Sequence, residues 1–183
     1  MRVIAGSVRG FKLMTPTGKN TRPTSDRIKE TLFNIIQAEV PESRFLDLFS
    51  GSGGIAIEAL SRGATEAVLV EHEREAVHCI RENIKHTRME DRSRVMAMDV
   101  MQAVRRLDQL GQPFDVIFMD PPYRKDLEGM LLSYLLRSSL VHEETLIIVE
   151  TALDTDISYM EELPCRMERV KDYKTNRHIF LRV

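Results

Sequence analysis

The sequence has few cysteines and no long apolar segments. Its 183 residues include two cysteines, Cys79 and Cys165, which are far apart and form no CxxC pair. This spacing argues against a disulfide framework or a zinc site and suits the reducing cytosol, so we expect a cytoplasmic protein. The five histidines form no HExxH motif, and we expect no bound metal. No apolar run approaches the roughly 20 residues of a membrane helix, and no signal-like segment is present, so we expect no membrane contact.

Charge is distributed unevenly along the chain. Hydrophobic residues make up 43% and charged residues 30%, which is ordinary for a globular domain with a core. The net charge is −2, but residues 1–30 carry seven Lys or Arg against two Asp or Glu, whereas the remaining residues carry 19 basic and 26 acidic groups. A basic segment on an acidic body indicates either a contact with a polyanion or a solvated N-terminal arm.

Apolar strand patterns alternate with amphipathic helix patterns along most of the chain. Continuous apolar strands separated by helices predict an α/β fold, with a mostly parallel sheet covered on both faces and an antiparallel C-terminal hairpin at its edge. We expect one domain over residues 1–183, in which residues 1–40 form a basic hairpin and a helix. The predicted strands are 1–5 and 12–15 in the hairpin, then 44–49, 66–70, 94–98, 114–119, 145–149, 167–173 and 178–183. The predicted helices are 54–62, 74–86, 100–107 and 126–137, preceded by one that runs from a cap at 24 or 25 to about 39.

Glycines and acidic residues stand where the first three buried strands end. Ligands of parallel sheets bind at this edge, near the point where strand order reverses. The run Asp47-Leu48-Phe49-Ser50-Gly51-Ser52-Gly53-Gly54 allows a tight turn and close approach by a ligand at a helix N-terminus, although alone it fits packing or a dinucleotide equally well. Glu71 can accept hydrogen bonds from ribose hydroxyls, and Asp99 can accept one from an adenine amino group. Singly, each acid is equally well explained as a solvated strand end, but together they predict a site for an adenosine-shaped ligand.

The most specific local motif is Asp120-Pro121-Pro122-Tyr123, which follows the fourth buried strand. The two prolines stiffen the turn, and the first holds Asp120 in an extended conformation. The Asp120 carboxylate and the Pro121 carbonyl then offer two acceptors at a fixed spacing, which matches the two N–H donors of a planar amino group. Tyr123 can lie flat against the ring that carries the amino group. The alternative interpretation is a rigid loop with Tyr123 partly in the core.

These motifs resemble a known family. Residues 47–53 look like the S-adenosylmethionine (AdoMet) motif of class I methyltransferases, and residues 120–123 look like the (N/D)PPY motif of amino-group methyltransferases. The stretches 1–6 (MRVIAG) and 22–34 (RPTSDRIKETLFN) are similar to the RsmD-type bacterial methyltransferases, which modify guanine N2 in small-subunit (16S) ribosomal RNA. The resemblance covers nearly the whole chain. Lys174 departs from the family pattern, which has Gly at that position.

The resemblance implies a Rossmann-like class I fold with a seven-stranded sheet, AdoMet as the cofactor, and ribosomal RNA as the partner, with a small-subunit particle as the expected context. It makes Asp120, Pro121 and Tyr123 the expected catalytic group. The expected cofactor residues are Asp47, Phe49, Ser50, Gly51, Gly53, Glu71, His72, Asp99 and Val100. The expected RNA-binding residues are Arg9, Lys12, Lys19, Arg22 and Tyr123.

The chemistry implied is methyl transfer to a poorly nucleophilic nitrogen. The lone pair of guanine N2 is delocalised into the ring, and two acceptors on its N–H bonds favour a pyramidal nitrogen whose lone pair can attack the methyl group. Orientation and a carboxylate beside the developing positive charge supply the catalysis. The target base must leave its stack to reach such a pocket.

Three alternatives remain open from the sequence. A DNA adenine-N6 methyltransferase would use the same pocket, but it usually carries a larger target-recognition region than this chain can supply. A protein-glutamine methyltransferase also uses a Pro-Pro-Tyr loop, and the basic N-terminal segment argues mildly against it. The third is a catalytically silent RNA-binding scaffold, because a fold alone does not define a function.

Overall fold

The computed structural model describes residues 1–17, 26–122 and 127–183. This part of the chain contains seven strands and five α-helices. The strands are β1 (Arg44–Leu48), β2 (Glu66–Glu71), β3 (Ser93–Ala97), β4 (Val116–Met119), β5 (Leu146–Ala152), β6 (Arg166–Asp172) and β7 (Asn176–Arg182). The helices are α1 (Asp26–Ile35), α2 (Gly54–Ser61), α3 (Arg74–Thr87), α4 (Val100–Asp108) and α5 (Leu127–Leu135).

The seven strands form one sheet in the order β3-β2-β1-β4-β5-β7-β6. The first five strands in this order are parallel, and β7 lies antiparallel between β5 and β6. The mostly parallel sheet with an antiparallel C-terminal edge is therefore confirmed. The strand order reverses at β1, which pairs with β2 on one side and with β4 on the other. In such sheets a ligand crevice opens above the carboxyl ends of the strands at this reversal.

Helices cover both faces of the sheet because successive strand residues point to opposite sides. On one face, Phe45 and Phe118 pack with the apolar sides of α1, α2 and α3. On the other face, Leu46 and Ile117 pack with α4 and α5. Burial on both sides explains why the central strands are apolar at nearly every position rather than at alternate ones.

The N-terminal segment differs from the predicted hairpin. The strands predicted at 1–5 and 12–15 are wrong in extent, because the two stretches form one isolated bridge, between Arg2 and Lys12, with backbone hydrogen bonds from Val3 to Phe11 and from Leu13 to Met1 on either side of it. Other backbone groups of this segment bond to α2, since the Ser7 N–H donates to the carbonyl of Ser61 at 2.8 Å. Gly6 allows this approach: it has a φ of 85°, and a Cβ at this position would lie 1.8 Å from the Ser61 carbonyl oxygen.

Most other predicted elements are present with ends that differ by one to four residues; for example, β4 begins at residue 116 rather than 114 and β5 ends at residue 152 rather than 149. The helix predicted to reach about residue 39 ends at Ile35 and continues as turns. The first buried strand ends at Leu48 because Phe49 adopts a left-handed φ of 67°. Gly63 follows the C-cap of α2 with a φ of 107°, a left-handed conformation that glycine adopts without strain. Lys174 does not adopt a left-handed conformation, so this hairpin turn does not require the Gly of the family pattern.

The buried carboxylate of Glu58 on α2 connects the N-terminal segment, α1 and α2. It accepts hydrogen bonds from the backbone N–H groups of Ile4 and Ala5 at 2.8 and 3.0 Å. It also pairs with Lys29 of α1 at 3.2 Å and with Arg62 at 2.8 Å. The side chains of Glu58 and Lys29 are both 0% exposed. Each buried charge therefore depends on the other for compensation.

We predict that Glu58→Gln lowers the free energy of unfolding by about 3–5 kcal/mol, because the Lys29 ammonium would stay buried without its counter-charge. The matched control is Glu66→Gln, whose pair with Arg44 is partly exposed; its loss should cost at most about 1 kcal/mol. Urea unfolding of both variants measures the difference. Adding Lys29→Met to Glu58→Gln should recover part of the lost stability. Equal effects of Glu58→Gln and Glu66→Gln would contradict this account.

Candidate active site

The glycine turn above β1 is held in a left-handed conformation at three positions. Phe49, Gly51 and Gly53 have φ values of 67°, 54° and 78°. A Cβ on Gly53 would lie 3.0 Å from the side chain of Leu69, whereas one on Gly51 would meet no atom within 4 Å. A side chain at position 53 would therefore press on Leu69 and would also be strained by the left-handed backbone. Gly51 leaves open space above the backbone, where a ligand can approach.

A pocket opens between this turn and the N-terminal segment. Its empty volume is about 560 Å³, part of which is continuous with solvent. Residues from β1, the glycine turn, α1, the start of the chain and the end of β4 line it together. They are Met1, Thr15, Pro16, Lys29, Asp47, Phe49, Ser50, Gly51, Ser52, Gly54, Ile55, Phe118 and Asp120.

Asp47 contributes a fully buried carboxyl group to this pocket. Its side chain accepts a long hydrogen bond of 3.3 Å from the Ala56 N–H, at the start of α2. Burial raises the pKa of Asp47 from its ordinary value of 3.8 to about 8, although the hydrogen bond opposes the shift. The group is therefore neutral over most of the physiological pH range unless a cation enters the pocket.

Asp120 follows the last residue of β4 and reaches the same pocket. Burial raises its pKa well above the ordinary value, and the nearby carboxylates of Glu150 and Asp47 raise it further. Glu150 is held in place by two buried partners, since His178 Nε2 lies 2.9 Å from it and the Asn176 amide donates to it at 2.6 Å. Ionisation of Asp120 is therefore costly in the empty pocket, and a positive charge placed beside it would favour the ionised form.

Glu71 supports the glycine turn from the end of β2. One of its oxygens accepts from the Gly51 N–H at 2.9 Å, and the other accepts from the N–H groups of His72 and Glu73 at 2.8 and 2.9 Å. The oxygen bonded to Gly51 retains one lone pair for a further donor. The side chain therefore has a structural role in addition to the ligand role predicted from the sequence.

Asp99 caps helix α4. One carboxylate oxygen accepts hydrogen bonds from the N–H groups of Met101 and Gln102 at 2.9 and 3.2 Å. Val100 is the first residue of that helix and is buried. Asp99 and Val100 follow β3, two strands away from β1, and they do not line the pocket described above.

The structure brings together only part of the predicted site. Five of the expected residues line one pocket: Asp47, Phe49, Ser50, Gly51 and Asp120. Gly53 packs beneath the turn, Pro121 is buried beside Asp120, and Glu71, His72, Asp99 and Val100 lie elsewhere along the same edge of the sheet. Arg9 and Lys12 are exposed. Tyr123, Lys19 and Arg22 lie outside the described residues.

The sequence analysis missed the residues that close the pocket from the N-terminal side. Met1, Thr15 and Pro16 carried no local signal for this position. Lys29 did, because it lies at the spacing of the buried residues Leu32 and Phe33 on the apolar side of α1. A lysine at a core position of a helix indicates a buried ion pair or a site.

No helix among residues 1–17, 26–122 and 127–183 is long and apolar enough to span a bilayer. Within the same ranges, no three His, Cys, Asp or Glu side chains come together in a way that could hold a metal ion.

The fold is that of the class I methyltransferases. A hypothetical protein of Thermus thermophilus, TTHA0928, superposes with a TM-score of 0.85 and 34% identity, covering 100% of this chain and 99% of that one. The SAM-dependent methyltransferase of Agrobacterium tumefaciens superposes with a TM-score of 0.67 over 89% of this chain and 63% of its own, but at 17% identity it shows only the common fold.

Residues 1–181 match the family model described as "Conserved hypothetical protein 95", and the chain belongs to this family, the RsmD-type methyltransferases. The Ribosomal RNA small subunit methyltransferase D of Escherichia coli K12 is 35% identical over 157 residues, 86% of this chain and 77% of its own. The protein of the same name from Haemophilus influenzae is 36% identical over 159 residues, 84% of this chain and 80% of its own. The family predicted from the sequence is therefore confirmed.

We predict that Asp47→Asn stabilises the protein more at pH 8 than at pH 5. The raised pKa means that the folded protein keeps a proton that the unfolded chain releases between its ordinary value of 3.8 and about 8. The contribution of this carboxyl to stability is therefore complete below pH 4 and is lost as the pH rises to about 8. An asparagine cannot ionise and escapes this loss. Urea unfolding of the wild type and of Asp47→Asn between pH 5 and 8 measures this difference in stability. Asp154→Asn, at an exposed position, is the control. A stability difference that does not change with pH would show that Asp47 is ionised in the folded protein.

Proposed function

We propose that the protein transfers a methyl group from AdoMet to the exocyclic N2 amino group of a guanine in small-subunit ribosomal RNA. The observation that carries this proposal is the partly buried Asp120 carboxyl, which shares one pocket with the open backbone of Gly51. Two relatives that cover most of the chain are named as small-subunit ribosomal RNA methyltransferases. A protein of similar fold, SMU.776, has been solved as a complex with SAH, with a TM-score of 0.65 and 14% identity.

The residues along this edge fit the parts of AdoMet. The open backbone at Gly51 suits the methionine part, and the buried Asp47 beside it suits a positively charged amino group. The lone pair that Glu71 retains suits a ribose hydroxyl. Asp99, with one oxygen not used in the helix cap among the described contacts, suits the adenine amino group.

Asp120 acts on the amino group that receives the methyl. AdoMet supplies an electrophilic methyl group on a sulfonium. The Asp120 carboxylate and the Pro121 carbonyl accept hydrogen bonds from the two N–H groups of the target amino group. These bonds orient the nitrogen so that its lone pair points at the methyl group. As the methyl leaves the sulfonium behind as a thioether and the nitrogen becomes cationic, the carboxylate of Glu150 near Asp120 strengthens the stabilisation of that charge. The same surroundings make ionised Asp120 a good acceptor for the proton that the nitrogen then loses.

The RNA side of the proposal rests on the exposed N-terminal charges. Arg9 and Lys12 are exposed in the structure and belong to the same segment that closes the pocket at Thr15 and Pro16. We propose that they contact phosphates beside the target base, together with Lys19 and Arg22. Tyr123 would stack on the base, so Tyr123→Phe should retain most activity, whereas Tyr123→Ala should weaken RNA capture.

The direct test of the proposed function offers labelled AdoMet with several substrates. These are ribosomal RNA, free and in small subunits, duplex DNA, and a glutamine-containing peptide. We expect label in RNA alone, and mapping should place it on N2 of one guanine. Label in DNA adenine or in peptide would replace the proposal with one of the amino-group alternatives. AdoMet binding without methyl transfer to any of them would indicate a silent scaffold.

We predict that Asp120→Ala slows methyl transfer by about 10²–10³-fold, because a pre-placed acceptor for developing positive charge is lost. Affinity for AdoMet should change much less than the rate, since the side chain acts mainly in the transition state. Single-turnover rates at saturating RNA and AdoMet measure the effect. Asp115→Asn, at the opposite end of β4, is the control. A near-normal rate in Asp120→Ala would refute the mechanism.

We predict that Glu71→Ala weakens AdoMet binding by roughly tenfold to a hundredfold, because a hydrogen bond to a charged acceptor contributes about 1.5–3 kcal/mol. Glu71→Gln retains an acceptor for Gly51 but loses the charge, so it should fall between the wild type and Glu71→Ala. Calorimetric titration with AdoMet measures both affinities. Unchanged affinity in a folded Glu71→Ala protein would remove Glu71 from the cofactor site.

A further inference from the structure

Helix α3 carries a line of basic side chains on its outer surface. Arg74, His78, Arg81 and Lys85 are followed by Arg88 at the C-terminal cap. The spacing of four, three, four and three residues places them along one ridge of the helix. All five residues are exposed in the structure. The opposite side of α3 holds the helix on the sheet through its buried residues Ala76, Val77, Cys79, Ile80, Asn83, Ile84 and Thr87.

The cations of this ridge have no acidic partners in the described part of the chain. None of Arg74, Arg81, Lys85 and Arg88 forms an ion pair there, although many other arginines do, including Arg44 and Arg182. Of the acids on α3, Glu75 is bonded to Thr17, and Glu82 is exposed beside the ridge. Unpaired cations in a row, on a chain of net charge −2, indicate a surface for a polyanion.

The N-terminal segment runs along the side of α3 and connects the ridge to the pocket. Thr17 bonds to Glu75 through its N–H at 2.7 Å and its hydroxyl at 2.6 Å, near the start of the helix. The Met14 N–H donates to the Asn83 side chain at 2.7 Å, and the Phe11 ring lies 5.1 Å from His86 near its end. Between Met14 and Thr17, Thr15 and Pro16 line the pocket.

The same segment exposes apolar side chains beside the ridge. Phe11 is 39% exposed and Met14 is 49% exposed, although both are large hydrophobic residues. An exposed ring next to unpaired cations is typical of surfaces that bind single-stranded nucleic acid, because bases stack on rings while cations contact phosphates. An acidic protein partner would use the cations alone and would leave the ring unexplained.

We propose that the α3 ridge and residues 11–14 together form a docking track for the ribosomal RNA strand that flanks the target base. The proposal rests on the proposed function for the identity of the RNA. From Arg74 to Lys85 the helix rises roughly 16 Å, which corresponds to four or five phosphates of a stacked strand at about 3.4 Å each. Arg74 lies at the end nearest the pocket, and Arg88 at the other end. The track therefore leads the strand toward Asp120.

The test compares two double variants that lose the same charge. Arg81→Gln with Lys85→Gln removes two cations from the ridge, and glutamine keeps the helix propensity nearly unchanged. Arg105→Gln with Arg106→Gln is the matched control, because these residues are equally exposed on α4, which covers the opposite face of the sheet. RNA affinity is measured between roughly 50 and 300 mM salt, because the slope of log affinity against log salt concentration reports the number of phosphate contacts. AdoMet affinity and methyl transfer are measured alongside it.

For the ridge variant we expect weaker RNA binding and a salt slope reduced by about 0.7 for each lost phosphate contact of a single strand, or roughly 1.4 in total. Its KM for RNA should rise while kcat and AdoMet affinity stay near the wild-type values. The control should retain the wild-type slope. Equal losses of RNA affinity in both double variants, or an unchanged salt slope in the ridge variant, would overturn the docking track. Methylation of RNA by the wild-type protein would still support the proposed function in that case. A wild-type protein that neither binds nor methylates ribosomal RNA would overturn both.

Discussion

The buried carboxylate of Glu58 is the constraint on which much of the site depends. A carboxylate with no exposed surface is tolerated only when charges and hydrogen bonds surround it, and here the partners come from the N-terminal backbone, Lys29 of α1 and Arg62. These contacts fix the start of the chain and α1 on α2. The N-terminal segment and Lys29 in turn close the pocket beside Asp47. One buried interaction therefore positions the side of the pocket that lies away from the sheet.

The parallel sheet supplies the other half of the site by bringing carboxylates together at one edge. Asp47, Asp120 and Glu150 come from three adjacent strands, and the negative charge they would carry together makes ionisation of Asp120 costly. This arrangement destabilises the empty pocket and favours occupants that bring positive charge. In the proposed reaction, a sulfonium and an amino nitrogen that becomes cationic would be such occupants. Glu150 is kept in register by His178 and Asn176 of β7, so the antiparallel edge strand contributes to the electrostatics of the site.

Much of the fold could be predicted from the sequence because its signals are local. Apolar strands, helix periodicity and Gly63 each act over a few residues, and the order of elements followed from them. Element ends were less accurate, since Phe49 ends β1 through a backbone conformation that no apolar pattern reveals. The N-terminal hairpin was wrong in extent because the N–H groups of Ile4, Ala5 and Val8 bond to α2, more than 50 residues away, and only part of its backbone bonds across the hairpin. Propensity cannot anticipate such long-range competition for hydrogen bonds.

The sequence by itself determined the family, the glycine turn, the carboxylate that ends each strand and the Asp-Pro-Pro-Tyr motif, because these are contiguous and need only correct strand order to meet. The tertiary structure alone decided which residues share the pocket and which do not. Lys29, Thr15 and Pro16 line the pocket together with Asp47 and Asp120. Glu71 accepts a hydrogen bond from the Gly51 N–H, so it supports the glycine turn in addition to the ligand role predicted for it. It also decided that the N-terminal segment lies along α3. The position of the N-terminal segment depends on contacts between residues more than 50 positions apart, and such contacts form only when burial of one surface against another outweighs the entropy of closing the loop.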